Sequence, residues 1–334
     1  MATFFSFGAE KKIKKENVLL KLRHLINWDT IAIHLKGFYK KDIDDKGGTR
    51  PYDPIKMFKA ILLGQWYDLS DPALEEALSL RIDFMMFTDI ELSEDCPDET
   101  TICRFRNKLI SLGLDKKLFN EINNQLENFG LKVKKSKGAI LDATIIESAA
   151  KPRRHIEIQE DRKENDVESH SKIIESKDPD SRWLKKGKKF YFGYKGFVAV
   201  DEEKGFINKI YVAPANVAEV KKLPKLIEEM QGVRVYADKG YTSKENRLIL
   251  KNKKLKDGIM HKEMKTKQLT KWQKLKNKLI SKRRYIVEQG FGTLKRRFNF
   301  NRASYMGLAK VESQFYLKAM CFNLLKASNM VKIA

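Results

Sequence analysis

Three carboxylates, each set in basic or apolar surroundings, are the residues of this chain best suited to chemistry. Glu288 stands between Lys282-Arg283-Arg284 and Lys295-Arg296-Arg297. On a helix, Arg284, Glu288 and Lys295 fall at i, i+4 and i+11, close to one face. Asp142 interrupts the apolar run Ala139-Ile140-Leu141-Asp142-Ala143-Thr144-Ile145-Ile146, and Asp238 ends Gly232-Val233-Arg234-Val235-Tyr236-Ala237-Asp238. An acid inside a buried strand is expensive unless it is paired or coordinated. Each acid alone has a plainer reading, a solvated helix face for Glu288 and a turn-capping strand end for the aspartates. Together, with surplus positive charge around them, they suit two divalent cations about 4 Å apart and in-line attack on phosphorus. Oxygen ligands select Mg²⁺ or Mn²⁺.

The charge of the whole chain points the same way. Its 334 residues carry a net charge of +23, which adds nothing to folding and usually answers a polyanion, most often nucleic acid. Ser243–Arg297 holds 19 Lys or Arg against four acids, a surplus of 15 and so most of the total, a stretch that a membrane-surface or ribosomal role would also use. With 42% hydrophobic and 33% charged residues, the chain can bury a real core as one or two domains. No stretch reaches about 18 apolar residues, so no membrane span is expected. The N-terminus lacks the layout of a secretion signal. Cys96, Cys103 and Cys321 form no Cys-x-x-Cys pair, which argues against disulfides and structural zinc and suits a reducing cytoplasm.

Two kinds of texture must position these acids. Over residues 1–135 helical signals dominate. Residues 10–24 fit a short amphipathic helix, and Asp53-Pro54 and Ser70-Asp71-Pro72 are helix starts. Arg81–Phe87 reads as a further short helix. Cys96–Thr100 turns into a helix through Ile110, and Asp115–Phe129 ends at Gly130. This is an all-helical domain with room for a helix-turn-helix. Arg104, Arg106 and Lys108 fall on the outer side of the 100–111 helix, where phosphate or base contact is expected. The same pattern fits an oligomerisation bundle with a solvated basic face.

From residue 136 to 334 the texture is α/β. The run around Asp142 is a strand. Residues 151–189 are polar, lack periodicity and read as a loop or insertion. Phe190–Asp201 and Phe206–Ala213 form a hairpin, and a helix follows over Val220–Met230. The strand ending at Asp238 leads to Lys239-Gly240-Tyr241, a helix capped by Ser243, a short strand near Gly258–Met260, and the helix around Glu288. Lys239 and Tyr241 are candidates for DNA contact or for shaping the turn. Trp183 is a candidate for base stacking or for anchoring its loop. Acids at strand ends are where α/β folds place their sites.

Leu141-Asp142-Ala143-Thr144, Val235–Tyr241 and Val287–Lys295 resemble the three acidic motifs of insertion-sequence DDE transposases, most closely the insertion-sequence-five family. Phe192–Asp201, Pro214-Ala215-Asn216-Val217 and the N-terminal runs Arg50–Pro54, Leu69-Ser70-Asp71 and Pro97–Thr101 are similar to the same family. The match spans roughly residues 50–325, and ordered motifs at compatible spacing are far more specific than any one acid.

The resemblance implies an RNase H-like mixed-sheet core. Asp142, Asp238 and Glu288 would be its catalytic, metal-binding acids, holding two Mg²⁺ or Mn²⁺. Arg284 and Lys295 match the family's Tyr-x2-Arg-x3-Glu-x6-Lys motif, and with Arg296 they would contact DNA phosphates. Ser281 replaces the motif's tyrosine, and Tyr285 is off register. The implied activity is cleavage at transposon ends and strand transfer into target DNA. Its partners would be terminal repeats, target duplex and at least a second copy of the chain, at the nucleoid. Two rivals are a related nuclease without strand transfer and a non-catalytic DNA-binding protein.

Overall fold

A computed structural model describes residues 13, 16–39, 51–133, 136–152, 155–163, 166–174, 176–264 and 268–331. Arg50 and most of the expected helical residues before Glu16 lie outside these, as do the side chains of His155 and His170.

The helical region comprises α1 (Val18–Leu25), α2 (Trp28–His34), α3 (Pro54–Tyr67), α4 (Asp71–Leu80), α5 (Ile82–Thr88), α6 (Glu99–Ser111) and α7 (Leu114–Asn128). Its starts follow the capping chemistry of the sequence. Asp53 accepts the Ile55 amide at 2.9 Å, and Pro54 fills the first turn, where no amide partner is needed. Ser70 and Asp98 cap α4 and α6 through the Ala73 and Thr101 amides.

The second region runs β1 (Gly138–Glu147), β2 (His155–Lys163), β3 (Asp166–Ile174), β4 (Arg182–Lys186), β5 (Lys189–Asp201) and β6 (Ile207–Pro214). There follow α8 (Leu223–Leu226), β7 (Arg234–Ala237), α9 (Lys244–Asn252), β8 (Lys256–Ile259), α10 (Lys271–Arg296) and α11 (Leu308–Ser328). β1 lies at the centre of the main sheet. It pairs antiparallel with β5, which pairs antiparallel with β6, and parallel with β7, which pairs parallel with β8. This mixed order, three antiparallel strands followed by two parallel ones, is the RNase H-like core that the resemblance implies. α10 crosses one face over β1 and β7. Thr270 and Gln273 close a capping box at its start, so the helix begins a full four turns before Glu288.

Three expectations are corrected. Residues 151–189 are not a loop: β2 and β3 form a two-stranded antiparallel sheet, and β4 pairs with the start of β5. β4 is exposed on both faces except at Leu184, so it shows no apolar alternation. The helix expected over Val220–Met230 is a 3₁₀ turn at Glu219–Lys222 followed by one turn, α8. Pro224 has no amide to bond back to Val220, so a helix starting there cannot continue through it.

α11 is the third, because no element was expected after residue 299. It is buried on nearly every side, so it carries no apolar stripe for periodicity to detect. It is also the strut of the molecule. Lys318 Nζ donates to Gln65 O (3.1 Å), Asp68 Oδ1 (2.8 Å) and Phe298 O (2.6 Å). Asn323 donates to Asn123 Oδ1 and Ile207 O and accepts the Ile207 amide. A boundary near residue 135 falls in the α7–β1 connection, yet residues on both sides share one hydrophobic core around α11.

Candidate active site

The parallel register of β1 and β7 pairs Leu141 with Ala237. The residues that follow, Asp142 and Asp238, therefore stand side by side where β7 ends. α10 sends Arg284 between them. Its Nη2 lies 2.8 Å from Asp142 Oδ2 and its Nη1 3.6 Å from Asp238 Oδ1. Arg284 is buried, and its Nε has no hydrogen-bond partner. Asn277 fixes the seat of α10 by bonding both the amide (2.7 Å) and the carbonyl (2.9 Å) of His261 beyond β8.

Asp142 is the more enclosed acid. Burial pushes its pKa up to about 6, the Arg284 guanidinium and the Ala143 amide offset part of that rise, and Glu219 adds to it. Glu219 was not singled out from sequence. It lies 3.6 Å from Lys195 Nζ, and that buried ammonium also donates to Val217 O at 3.0 Å. A Cβ on Gly240 would sit 2.4 Å from Glu219 Oε2, so a larger residue in the turn after Asp238 would push that carboxylate aside. Tyr241 is fully buried with an unpartnered hydroxyl. It shapes the turn and cannot touch DNA. A lysine within an apolar strand and an acid shortly after Pro214-Ala215-Asn216-Val217 were the available signals for this second layer.

Asp142, Asp238 and Glu219 against Arg284 and Lys195 leave one negative charge at a partly enclosed site. Two hard oxygen donors converging with uncompensated charge fit a divalent cation. Glu288 is not brought to them. It is exposed, one turn beyond Arg284, and no three ligating side chains cluster closely enough to share an ion among the described residues.

The basic candidates divide. Lys239, Arg296 and Arg104 are exposed. Lys295 is half-buried; burial lowers its pKa, nearby Lys186 lowers it further, and Glu147 opposes the shift. Arg106 is corrected: it lies inside, not on the outer side of α6. Its guanidinium is bidentate to Asp71 at 2.7 and 2.6 Å and stacks over Tyr305. Such a pair is a structural link between α4 and α6, and its burial keeps it from a DNA surface.

Residues 134–324 match the family described as a transposase DDE domain, and residues 7–108 match a transposase domain, DUF772. The chain belongs to the DDE transposase family. It is similar to the transposase for insertion sequence element IS1106 of Neisseria meningitidis serogroup B. The two are 46% identical over 228 residues, 68% of this chain and 77% of the relative. A cryo-EM structure of the piggyBac transposase synaptic complex with hairpin DNA superposes at a TM-score of 0.47 and 10% identity. That superposition covers 94% of this chain and 75% of the other. As a DDE transposase the protein is a DNA-cleaving enzyme, and its family works with divalent metal ions. No helix among the described residues is long and apolar enough to cross a membrane.

Proposed function

We propose that Asp142, Asp238 and Glu288 together hold two Mg²⁺ or Mn²⁺ ions and that the enzyme cuts transposon ends and joins them to target DNA. The observation that carries this reading is the sharing of one buried guanidinium by Asp142 and Asp238, at 2.8 and 3.6 Å. Bound ions would supply Lewis acidity at the scissile phosphate and a water acidic enough to deprotonate near neutral pH.

The chain's own residues do the rest. Asp142 binds from the middle of β1 and Asp238 from just past the end of β7, and Glu288 completes the set from the same helix that carries Arg284. Until then Arg284 neutralises the two aspartates; afterwards its charge is free to face a phosphate oxygen. Lys195 holds Glu219 behind the site. Lys295, Arg296, Lys239 and Arg104 are phosphate contacts, which position a duplex without reading its sequence. Water attack breaks a P–O bond to leave a 5′-phosphate and a 3′-hydroxyl, which in turn attacks a target phosphodiester in the same site and displaces the target strand's own 3′-oxygen. Residues 1–135 would form the DNA-binding domain with a helix-turn-helix and residues 136–334 the catalytic domain. Terminal repeats brought together imply a dimer or larger assembly, acting at the nucleoid.

Asp142→Asn, Asp238→Asn and Glu288→Gln are each expected to lower Mg²⁺-dependent end cleavage by about three orders of magnitude. The aspartate variants should also weaken Mn²⁺ binding measured calorimetrically without DNA. Normal cutting by all three variants would overturn the assignment.

A further inference from the structure

The hairpin of β4 and β5 is not used by anything described so far. Between Arg182 and Phe192 the sequence holds five basic residues and no acid. Lys186 pairs with Lys189, closing a two-residue turn at Gly187-Lys188. Gly187 has φ +62°, the positive value that a type II′ hairpin turn requires at its first central position. A Cβ there would meet nothing within 4 Å, so the tip stands in open space. Lys185, Lys186, Lys188 and Lys189 have no carboxylate within ion-pair distance among the described residues. Two aromatic rings stiffen the ribbon while remaining on the surface. Trp183, 49% exposed, packs on Phe192, and Phe190, 63% exposed, carries the Lys185 ammonium over its ring.

The placement of this ribbon relative to the acids gives it meaning. Asp142 lies opposite Val198, nine residues along β5 from Lys189. At about 3.4 Å per residue the tip is at most about 30 Å from the acids. That is about nine base pairs of duplex. α10 fills the interval. Lys295 lies eleven residues beyond Arg284, about 16 Å along the helix. There it is close enough to Lys186 and Glu147 to feel both charges. Positive groups thus recur from Arg284, through Lys295 and Lys186, to Lys188 and Lys189.

We infer that the β4–β5 hairpin grips the phosphate backbone of the duplex being cut, within about nine base pairs of the scissile phosphate. This rests on the proposed DNA-cleaving site. The rival is that the lysines only guard an exposed sheet edge against pairing with other chains.

The test replaces Lys185, Lys186, Lys188 and Lys189 together by Gln and measures binding to a 30-base-pair duplex of mixed sequence. Binding should weaken at least about tenfold at 0.1 M salt, and the slope of log K against log salt should flatten by about three, the loss of three to four phosphate contacts. The matching Lys→Arg variant should bind like the wild type, and urea unfolding should be unchanged in both. An unchanged slope in the Gln variant, or aggregation with unchanged affinity, overturns the hairpin inference alone. No binding by the wild-type protein would overturn the parent reading instead.

Discussion

Asp178 is a buried carboxylate and Asp142 a largely enclosed one beside the same sheet, and their surroundings drive their acidities apart. Burial alone would raise both. At Asp178 the hydroxyls of Ser148 (2.6 Å) and Tyr194 (2.5 Å) and the Gly307 amide (3.2 Å) converge on the two oxygens. Those donors hold its pKa below the usual carboxylate value in spite of burial. Asp142 receives only its neighbour's amide and one arm of a shared guanidinium, and burial leaves its pKa at about 6. A carboxylate ringed by neutral donors is a structural tie, here pinning the start of α11 to β1 and β5. One left short of donors is kept at an energetic disadvantage that a cation can relieve.

The largest effect expected from this contrast is at the structural acid. Asp178→Ala strands three donors around a buried space and should lower the free energy of urea unfolding at pH 7 by about 3 kcal/mol or more. A loss under about 1 kcal/mol would mean that the convergence contributes little. Because its folded pKa is depressed, Asp178 contributes stability above the unfolded carboxylate pKa. That contribution should disappear as pH falls through the folded value, below about 3.8.

The proposed metal-binding acid should behave in the opposite sense. Asp142 binds its proton more tightly folded than unfolded, so wild-type stability declines as pH rises from about 4 to about 6 and then levels. Asp142→Asn removes that decline. Without metal it should raise the unfolding free energy at pH 8 by about 2–3 kcal/mol, a gain that vanishes near pH 4, while cleavage is lost. Destabilisation at pH 8 would show that the pairing with Arg284 outweighs burial, and the contrast would fail.

Glu288 gives the smallest change in stability. It is exposed, so Glu288→Gln should leave urea unfolding within about 0.5 kcal/mol while lowering cleavage as far as the aspartate variants do. A loss above about 1 kcal/mol would reveal a partner in the folded chain that its exposure does not suggest.

Much of this arrangement was legible before folding was considered. The caps at Asp53, Ser70 and Ser243 are local chemistry, readable because side chain and amide lie within three residues of each other. The strands bearing Asp142 and Asp238 are apolar runs bounded by turn residues, and the spacing of Arg284, Glu288 and Lys295 is a property of any helix. β4 and α11 escaped for opposite reasons, one being exposed on both faces and the other buried on nearly all of them. Periodicity reports a boundary between water and core, and neither element has one.

By itself, then, the sequence determined which residues could serve as ligands, which elements carry them and where positive charge collects. All of these follow from side-chain type and short-range geometry. Only the tertiary structure decided who meets whom. It folded Arg106 inward onto Asp71, set Lys195 and Glu219 behind Asp142, buried Tyr241, and left Glu288 outside the pair joined by Arg284. Asp71 and Arg106 are 35 residues apart, Asp142 and Arg284 142 apart. Over such separations the partner of a charge is chosen by strand register and helix packing, which no local pattern encodes.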